Sequence, residues 1–347
     1  MKKKKEIRQI SELGEFGLID HLCSNIKTIN KELVKSIGDD AAVYECGDIC
    51  NLVTTDLLVE GVHFNLIYTP LKHLGYKAVA VNLSDLYAMN AKPKYITVSL
   101  AISSKLSINA LEDLYSGIKL ACERYDVDLI GGDTTSSLSG LFINITAIGE
   151  AKKEDIVYRS GASKNELICV SGDLGAAYLG LQLLEREKKL FLSDTNIQPK
   201  LDGYEYIIER QLKPEPRRDI INRLNEAEIK PTSMIDISDG LSSELLHLCK
   251  HSDLGCRVFE DKIPIDNQSF AACEMFRLDA SLPAMNGGED YELLFTVPIN
   301  KKDEIEKMTD VSIIGYMCDK KEGKYFVPSN GQELEIKAQG WNPLSEE

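Results

Sequence analysis

The sequence predicts an α/β fold in two domains, on three observations. Segments with strand and helix periodicity alternate along both halves of the chain. A length of 347 residues is enough for two hydrophobic cores. A weak internal echo pairs Val81-Asn82-Leu83-Ser84-Asp85-Leu86 with Ile235-Asp236-Ile237-Ser238-Asp239-Gly240-Leu241, each with Ser-Asp between an apolar run and a helical segment. Two related α/β halves produce such an echo, and so does chance.

In chain order, Leu52-Val53-Thr54-Thr55 reads as a strand, and Tyr76 to Met89 has helical spacing, with Ala78, Val79, Val81 and Leu86 apolar. Tyr95 to Ile102 alternates as a strand does. Ile108 to Tyr125 carries Leu111, Leu114, Ile118 and Ala121 on one helical stripe. Leu129-Ile130 leads into a Gly131-Gly132 turn, and Leu141 to Ile148 alternates again. The charged, irregular segment Ala151 to Lys164 marks the boundary, dividing the chain into residues 1–150 and 151–347. Beyond it, Glu166 to Ser171 reads as a strand, Gly172 to Gly175 as a turn and Ala176 to Lys189 as a helix. Phe191 to Gly203 is a polar surface loop or insertion, and the helix Glu205 to Gln211 ends before Pro214 and Pro216. Met234 to Ile237, Leu293 to Val297 and Val311 to Ile314 are strands, and Leu241 to Cys249 is a helix.

Composition narrows the function. A net charge of −15 disfavours non-specific binding to nucleic acid or anionic membrane. The basic start Met1-Lys2-Lys3-Lys4-Lys5 is followed by Glu-Ile-Arg-Gln-Ile where a signal peptide needs an apolar stretch, and no run reaches the length of a membrane span. Nine scattered cysteines, odd in number and without Cys-x-x-Cys, read as reduced thiols of a cytoplasmic protein.

Short carboxylates mixed with Gly, Ser or Thr recur where strands are expected to run into turns. They are Gly38-Asp39-Asp40, Thr54-Thr55-Asp56, Ser84-Asp85, Gly131-Gly132-Asp133, Asp236 to Gly240, and Gly287-Gly288-Glu289-Asp290. A single cluster of this kind needs no more than a turn to explain it. Six together, in a chain without Walker A, Gly-x-Gly-x-x-Gly, Gly-x-Ser-x-Gly or a histidine metal pair, point to Mg²⁺ held by oxygen ligands. Phosphoryl transfer fits, because it asks a protein mainly for positioning and charge neutralisation. Two phosphorylated substrates repel by about 4 kcal/mol per unit-charge pair at ~4 Å and an effective dielectric near 20. Aspartates facing phosphates directly add to that repulsion, so a cation must stand between them.

These residues carry a resemblance. Ile37 to Ala42, Thr54-Thr55-Asp56, Gly61-Val62-His63-Phe64, Val81 to Leu86, Ile130 to Thr135, Arg159 to Ala162, Asp236 to Leu241 and Gly287 to Leu293 resemble, in order, the motifs of thiamine-monophosphate kinases. Gly14-Glu15-Phe16 matches too, and the likeness runs from about Gly14 to Trp341. Single motifs are shared with the wider superfamily of aminoimidazole ribonucleotide synthetases. The resemblance implies two domains of mixed sheets flanked by helices, a homodimer, and ATP-dependent conversion of thiamine phosphate to thiamine diphosphate.

Carried over by position, it implies Asp40, Thr54, Thr55, Asp56, Asp85, Asp133, Asp236 and Asp239 as Mg²⁺ ligands. The threonines would use hydroxyl or backbone oxygens. It implies Tyr115, Gly132, Asp133, Arg159 and Ser238 as ATP contacts, and His63, Glu289 and Trp341 as thiamine phosphate contacts. Asp56, Asp85, Asp133 and Arg159 would carry the chemistry. On the residues alone, Tyr115 fits a helix core equally, His63 a half-buried structural histidine, Arg159 a surface charge, and Trp341 a packing residue of the C-terminal turn. The lysine-rich start and the 191–203 stretch depart from the family's pattern. A phosphate monoester acceptor has its second pKa at about 6, so it is largely ionised at neutral pH and needs no strong base. Selenophosphate synthetase, of the same superfamily, wants a reactive Cys or selenocysteine in a glycine-rich segment, whereas Cys23 lies in a helical one. A non-catalytic nucleotide-binding scaffold would be expected to have lost ligand positions, and all eight are present.

Overall fold

The computed structural model describes residues 14–338. Two sheets organise the chain. The first comprises β1 (Leu33–Lys35), β2 (Ala42–Cys46), β3 (Ile49–Val59), β4 (Lys92–Ser103), β5 (Asp128–Ser137) and β6 (Phe142–Ala151), in the order β1-β2-β3-β6-β4-β5. All neighbours are antiparallel except β4 and β5, which α3 (Ile108–Tyr125) joins as a βαβ unit. The second sheet contains β7 (Leu167–Ser171), β8 (Ser233–Asp236), β9 (Leu254–Phe259), β10 (Leu293–Val297), β11 (Val311–Asp319), β12 (Lys324–Val327) and β13 (Leu334–Glu335). Its order is β13-β12-β9-β11-β7-β10-β8, with β12 parallel to β9.

Alternation sets the faces of the first sheet. Leu52, Thr54 and Leu58 of β3, Ile96, Val98 and Leu100 of β4, and Ile143, Ile145 and Ala147 of β6 are buried on one side. Against that side lies α2 (Leu71–Ala88), which also packs on α3 and on β8 of the second half. Fourteen of its eighteen residues are buried, so α2 shows no clean polar face in sequence. Two glycines let the helices touch: a Cβ on Gly75 would meet the Leu114 carbonyl oxygen at 2.0 Å, and one on Gly117 the Lys72 oxygen at 1.8 Å.

Alternation and helical spacing located the long elements, and α3 has the predicted limits. Four expectations need correction. Gly131-Gly132-Asp133 is not a turn but the middle of β5, paired with Thr97, Val98 and Ser99. Asp56 does not close its strand, because β3 continues to Val59. Ser84-Asp85 lies inside α2, whereas Ser238-Asp239 sits between β8 and α7 (Leu241–Ser252), so the internal echo is no structural equivalence. The polar stretch from Phe191 begins as the last turn of α4 (Ala176–Ser193). The helices α5 (Glu205–Leu212), α6 (Arg218–Glu226), α8 (Asn267–Phe276), α9 (Ser281–Asn286) and the one-turn α10 (Lys302–Ile305) join α4 and α7 in the second half. Near the N-terminus, α1 (Gly14–Cys23) ends at Cys23, as the helical reading of that segment expects. Trp341 and the lysine-rich start lie outside the described residues.

Candidate active site

A cavity of about 1340 Å³ opens between the two halves. Asp40, Thr54, Thr55, Asp56, His63, Asp85, Arg159, Asp236, Ser238, Asp239 and Glu289 all border it. Of the residues proposed from sequence, Tyr115, Gly132 and Asp133 do not. Tyr115 packs on the first core from α3, and Asp133 is exposed on β5 in register with Ser99.

Three segments converge on the cavity floor. Asp40 precedes β2, Asp85 projects from α2, and Asp236 ends β8; one carboxylate oxygen from each lies within 4.8 Å of the others. Neighbours orient them. Thr54 Oγ1 donates to Asp85 Oδ2 at 2.5 Å, and Ser84 Oγ donates to Asp236 Oδ2 at 2.5 Å. Asp56 N–H donates to Asn82 Oδ1 at 3.0 Å, which ties β3 to α2. Arg159 donates to Asp40 Oδ1 through Nε at 3.1 Å and Nη2 at 2.6 Å. Thr55 behaves differently from Thr54. Its hydroxyl bonds the Ile145 carbonyl, Asn144 and Thr146, so it is not turned toward the carboxylates, although the residue borders the cavity.

Crowding raises these acids. Burial lifts Asp40 to about 7 despite Arg159, and burial with Asp239 nearby lifts Asp56 to about 6. Asp236 rises to about 6 through burial, and Asp85 is pushed well above the carboxylate range by burial and then by Asp56. Three carboxylates this close, two buried and one half-buried, with one arginine among them, call for further positive charge. Asp40 Oδ2 is buried without a hydrogen-bond partner among the described residues. An all-oxygen donor set with an unsatisfied ligand atom fits Mg²⁺.

The second half supplies two interlocked loops. Glu289 N–H donates to the Ser238 oxygen at 2.7 Å, and Tyr291 N–H to the Ile237 oxygen at 2.8 Å. A Cβ on Gly288 would meet Ser238 O at 2.5 Å, and Gly240 has φ +115°, so both positions call for glycine. Glu289 itself sits at φ +66°, a left-handed conformation uncommon outside glycine. Glu244 of α7 accepts from the Asp239 N–H at 2.9 Å, and its other oxygen is buried without a hydrogen-bond partner among the described residues. His63, Phe64, Tyr68 and Tyr178 also line the cavity. His63 Nδ1 accepts the Val59 N–H at 3.0 Å, and burial lowers its pKa.

Sequence reading missed Lys77, Asn82, Gln211 and Glu244. Lys77, Ser84 and Asp85 share a stripe at i, i+7 and i+8, a signal masked because the whole helix is buried.

The fold and the acid-lined cavity define a class: residues 38–151 match the family described as AIR synthase related protein, N-terminal domain. Thiamine-monophosphate kinase of Bacillus subtilis (strain 168) is 34% identical over 340 residues, covering 95% of this chain and 99% of the relative. The enzyme of that name from Aquifex aeolicus (strain VF5) is 33% identical over 334 residues, covering 96% and 99%. The solved structure of AaThiL complexed with AMPPCP and TMP matches with a TM-score of 0.83 at 31% identity, covering 98% of this chain and 100% of that one. The chain belongs to the thiamine-monophosphate kinase family and is a kinase.

Proposed function

We propose that the chain transfers the γ-phosphoryl group of ATP to the phosphate of thiamine phosphate, yielding ADP and thiamine diphosphate. The observation that carries this reading is the meeting of Asp40, Asp85 and Asp236 within 4.8 Å in a cavity that His63, Phe64, Tyr68 and Tyr178 also line. Phosphates would sit against the carboxylates and the flat rings beside the aromatic side chains, here termed the ring end. Asp40, Asp85 and Asp236 would hold Mg²⁺, with Asp56, Asp239 and Thr54 beside them. Bound there, Mg²⁺ neutralises phosphate charge and lets two anions approach.

In the transfer itself, an oxygen of the acceptor phosphate forms a bond to the γ-phosphorus as the bond to the β–γ bridging oxygen breaks, with ADP taking that electron pair. The acceptor is already ionised at neutral pH, so no base is required. Arg159 is steered by Asp40 and has guanidinium donors left for a phosphate oxygen. Ser238 and Asp239 are oriented through Glu244. Glu289 and His63 line the ring end. Following ³¹P resonances with ATP, Mg²⁺ and a panel of acceptors tests the assignment: thiamine diphosphate should form from thiamine phosphate. Turnover of selenide or a purine-pathway ribotide, with none of thiamine phosphate, would overturn it.

The division at residues 150/151 and a homodimer built from the first domains belong to the same proposal. The face of the first sheet away from α2 carries Leu57 at 51% exposure, and β5 at the edge of the same sheet carries Ile130 at 56%, exposed apolar groups suited to a second copy. Tyr115, Gly132 and Asp133 then reach a nucleotide through that dimer, not within one chain. The nine cysteines are all free, which suits the reducing cytoplasm we propose as its compartment.

A further inference from the structure

Lys77 stands behind the cavity-lining Glu289, and the proposed reaction does not explain its presence. It rises from α2 in the first half, its side chain is 3% exposed, and it spans a carboxylate from the second half. Its Nζ lies 3.0 Å from Glu289 Oε1 and 3.0 Å from Oε2, and donates to the Gln211 carbonyl at 3.0 Å. Gln211 Nε2 donates to the same Oε2 at 2.7 Å. The Glu289 side chain keeps 25% exposure toward the cavity.

A buried ammonium is costly to desolvate and persists only with close partners. Here its partners are the cavity-lining Glu289 and the Gln211 carbonyl of α5. Glu289 also occupies a left-handed backbone position, so its carboxylate is placed by constraint, not by a favoured local conformation. The lysine cancels the carboxylate's charge. What remains facing the cavity is a carboxylate whose charge the ammonium offsets and which can still accept from one N–H donor.

We infer that Lys77 positions Glu289 and, by neutralising it, makes the ring end select a hydrogen-bond donor on the substrate, the amino group of the pyrimidine, in preference to the thiazolium charge. The inference rests on thiamine phosphate being the acceptor. An oxo group in place of that amino group would set two acceptors against each other, and a polar site facing the wrong partner discriminates strongly.

The test uses the full chain, ATP, Mg²⁺, thiamine phosphate and its analogue carrying oxo in place of the pyrimidine amino group. Wild type should favour thiamine phosphate in kcat/KM by about 100-fold or more. Lys77→Met should raise the KM for thiamine phosphate about tenfold or more while the KM for ATP stays within about twofold. Lys77→Arg should recover part of that loss. The double variant Lys77→Met/Glu289→Gln, which leaves no uncompensated buried charge, should match Glu289→Gln alone in KM and should accept both substrates, since an amide can donate or accept. Equal rises in both KM values, additive effects in the double variant, or a wild type indifferent to the amino-to-oxo change would overturn the inference. A wild type inactive on thiamine phosphate overturns the proposed reaction instead, so the two failures are distinct.

Discussion

Asp85 shows how much a single side chain depends on its surroundings. It accepts from Thr54, faces Asp40 and Asp236, and is raised well above the usual range by burial and by Asp56. Asp85→Asn or Asp56→Asn keeps the shape and removes one charge, so turnover should fall by on the order of 10²–10³-fold. Melting without Mg²⁺ should be unchanged or raised, because like-charge repulsion is relieved. Steady-state rates beside thermal melts in EDTA check both; wild-type rates would return these aspartates to a purely structural role. A second expectation concerns pH. Asp40, Asp56 and Asp236 have folded pKa values of about 7, 6 and 6 against an ordinary 3.8. Folding therefore favours their protonated forms, and that stability is present below pH 3.8 and lost as pH rises through 6 to 7. Groups held low, such as Glu215 and Asp219, act in the opposite sense but below their ordinary 4.5 and 3.8, outside this window. In EDTA the melting temperature should drop between about pH 4.5 and 7, and Mg²⁺ should restore it at the upper end. A flat profile would show that the carboxylates are not mutually strained.

Among the elements, α2 links everything the site needs. It carries Lys77, Asn82, Ser84 and Asp85, and touches residues of both halves through them. Its depth follows from the glycine contacts with α3. Gly117→Ala places a methyl 1.8 Å from the Lys72 oxygen, so the helices must part. We expect a loss of about 1–3 kcal/mol in urea unfolding, with reduced turnover because Asp85 moves with its helix. Unfolding midpoints equal to wild type would show that the crossing has slack. The same helix explains where sequence reading slipped. Ser-Asp is turn chemistry when taken alone, and tertiary burial held it in a helix. Lys77 looks solvent-facing in any pattern, since lysines are seldom buried. The strands β1, β2, β12 and β13 are too short for alternation to register, and pairing with longer neighbours defines them.

For the whole molecule, the first core does not stop at the proposed boundary: Ile220, Leu224, Met234 and Phe295 of the second half share it with Leu74 and Ile96. The halves are thereby fixed across the cavity, which holds the acidic floor in register. The outward sheet face remains, and light scattering at micromolar concentration should report twice the 38.6 kDa chain mass. Leu57→Asp, on that face, should shift the species toward one chain. A wild-type mass of 38.6 kDa would overturn the dimer and leave Asp133 without a nucleotide to bind.

By itself the sequence determined the chemistry on offer: short carboxylates beside glycines, one arginine among them, and alternating elements able to hold them. These are properties of neighbouring residues, so they survive in a linear reading. Tertiary structure alone decided which carboxylates meet. Ser84 and Asp236 are 152 positions apart, and Lys77 and Glu289 are 212, separations over which no local pattern reports contact. It also decided that Asp133 stays on an edge strand and that a lysine stands behind Glu289. Those outcomes depend on how two sheets close on α2, and burial, not propensity, selects that closure.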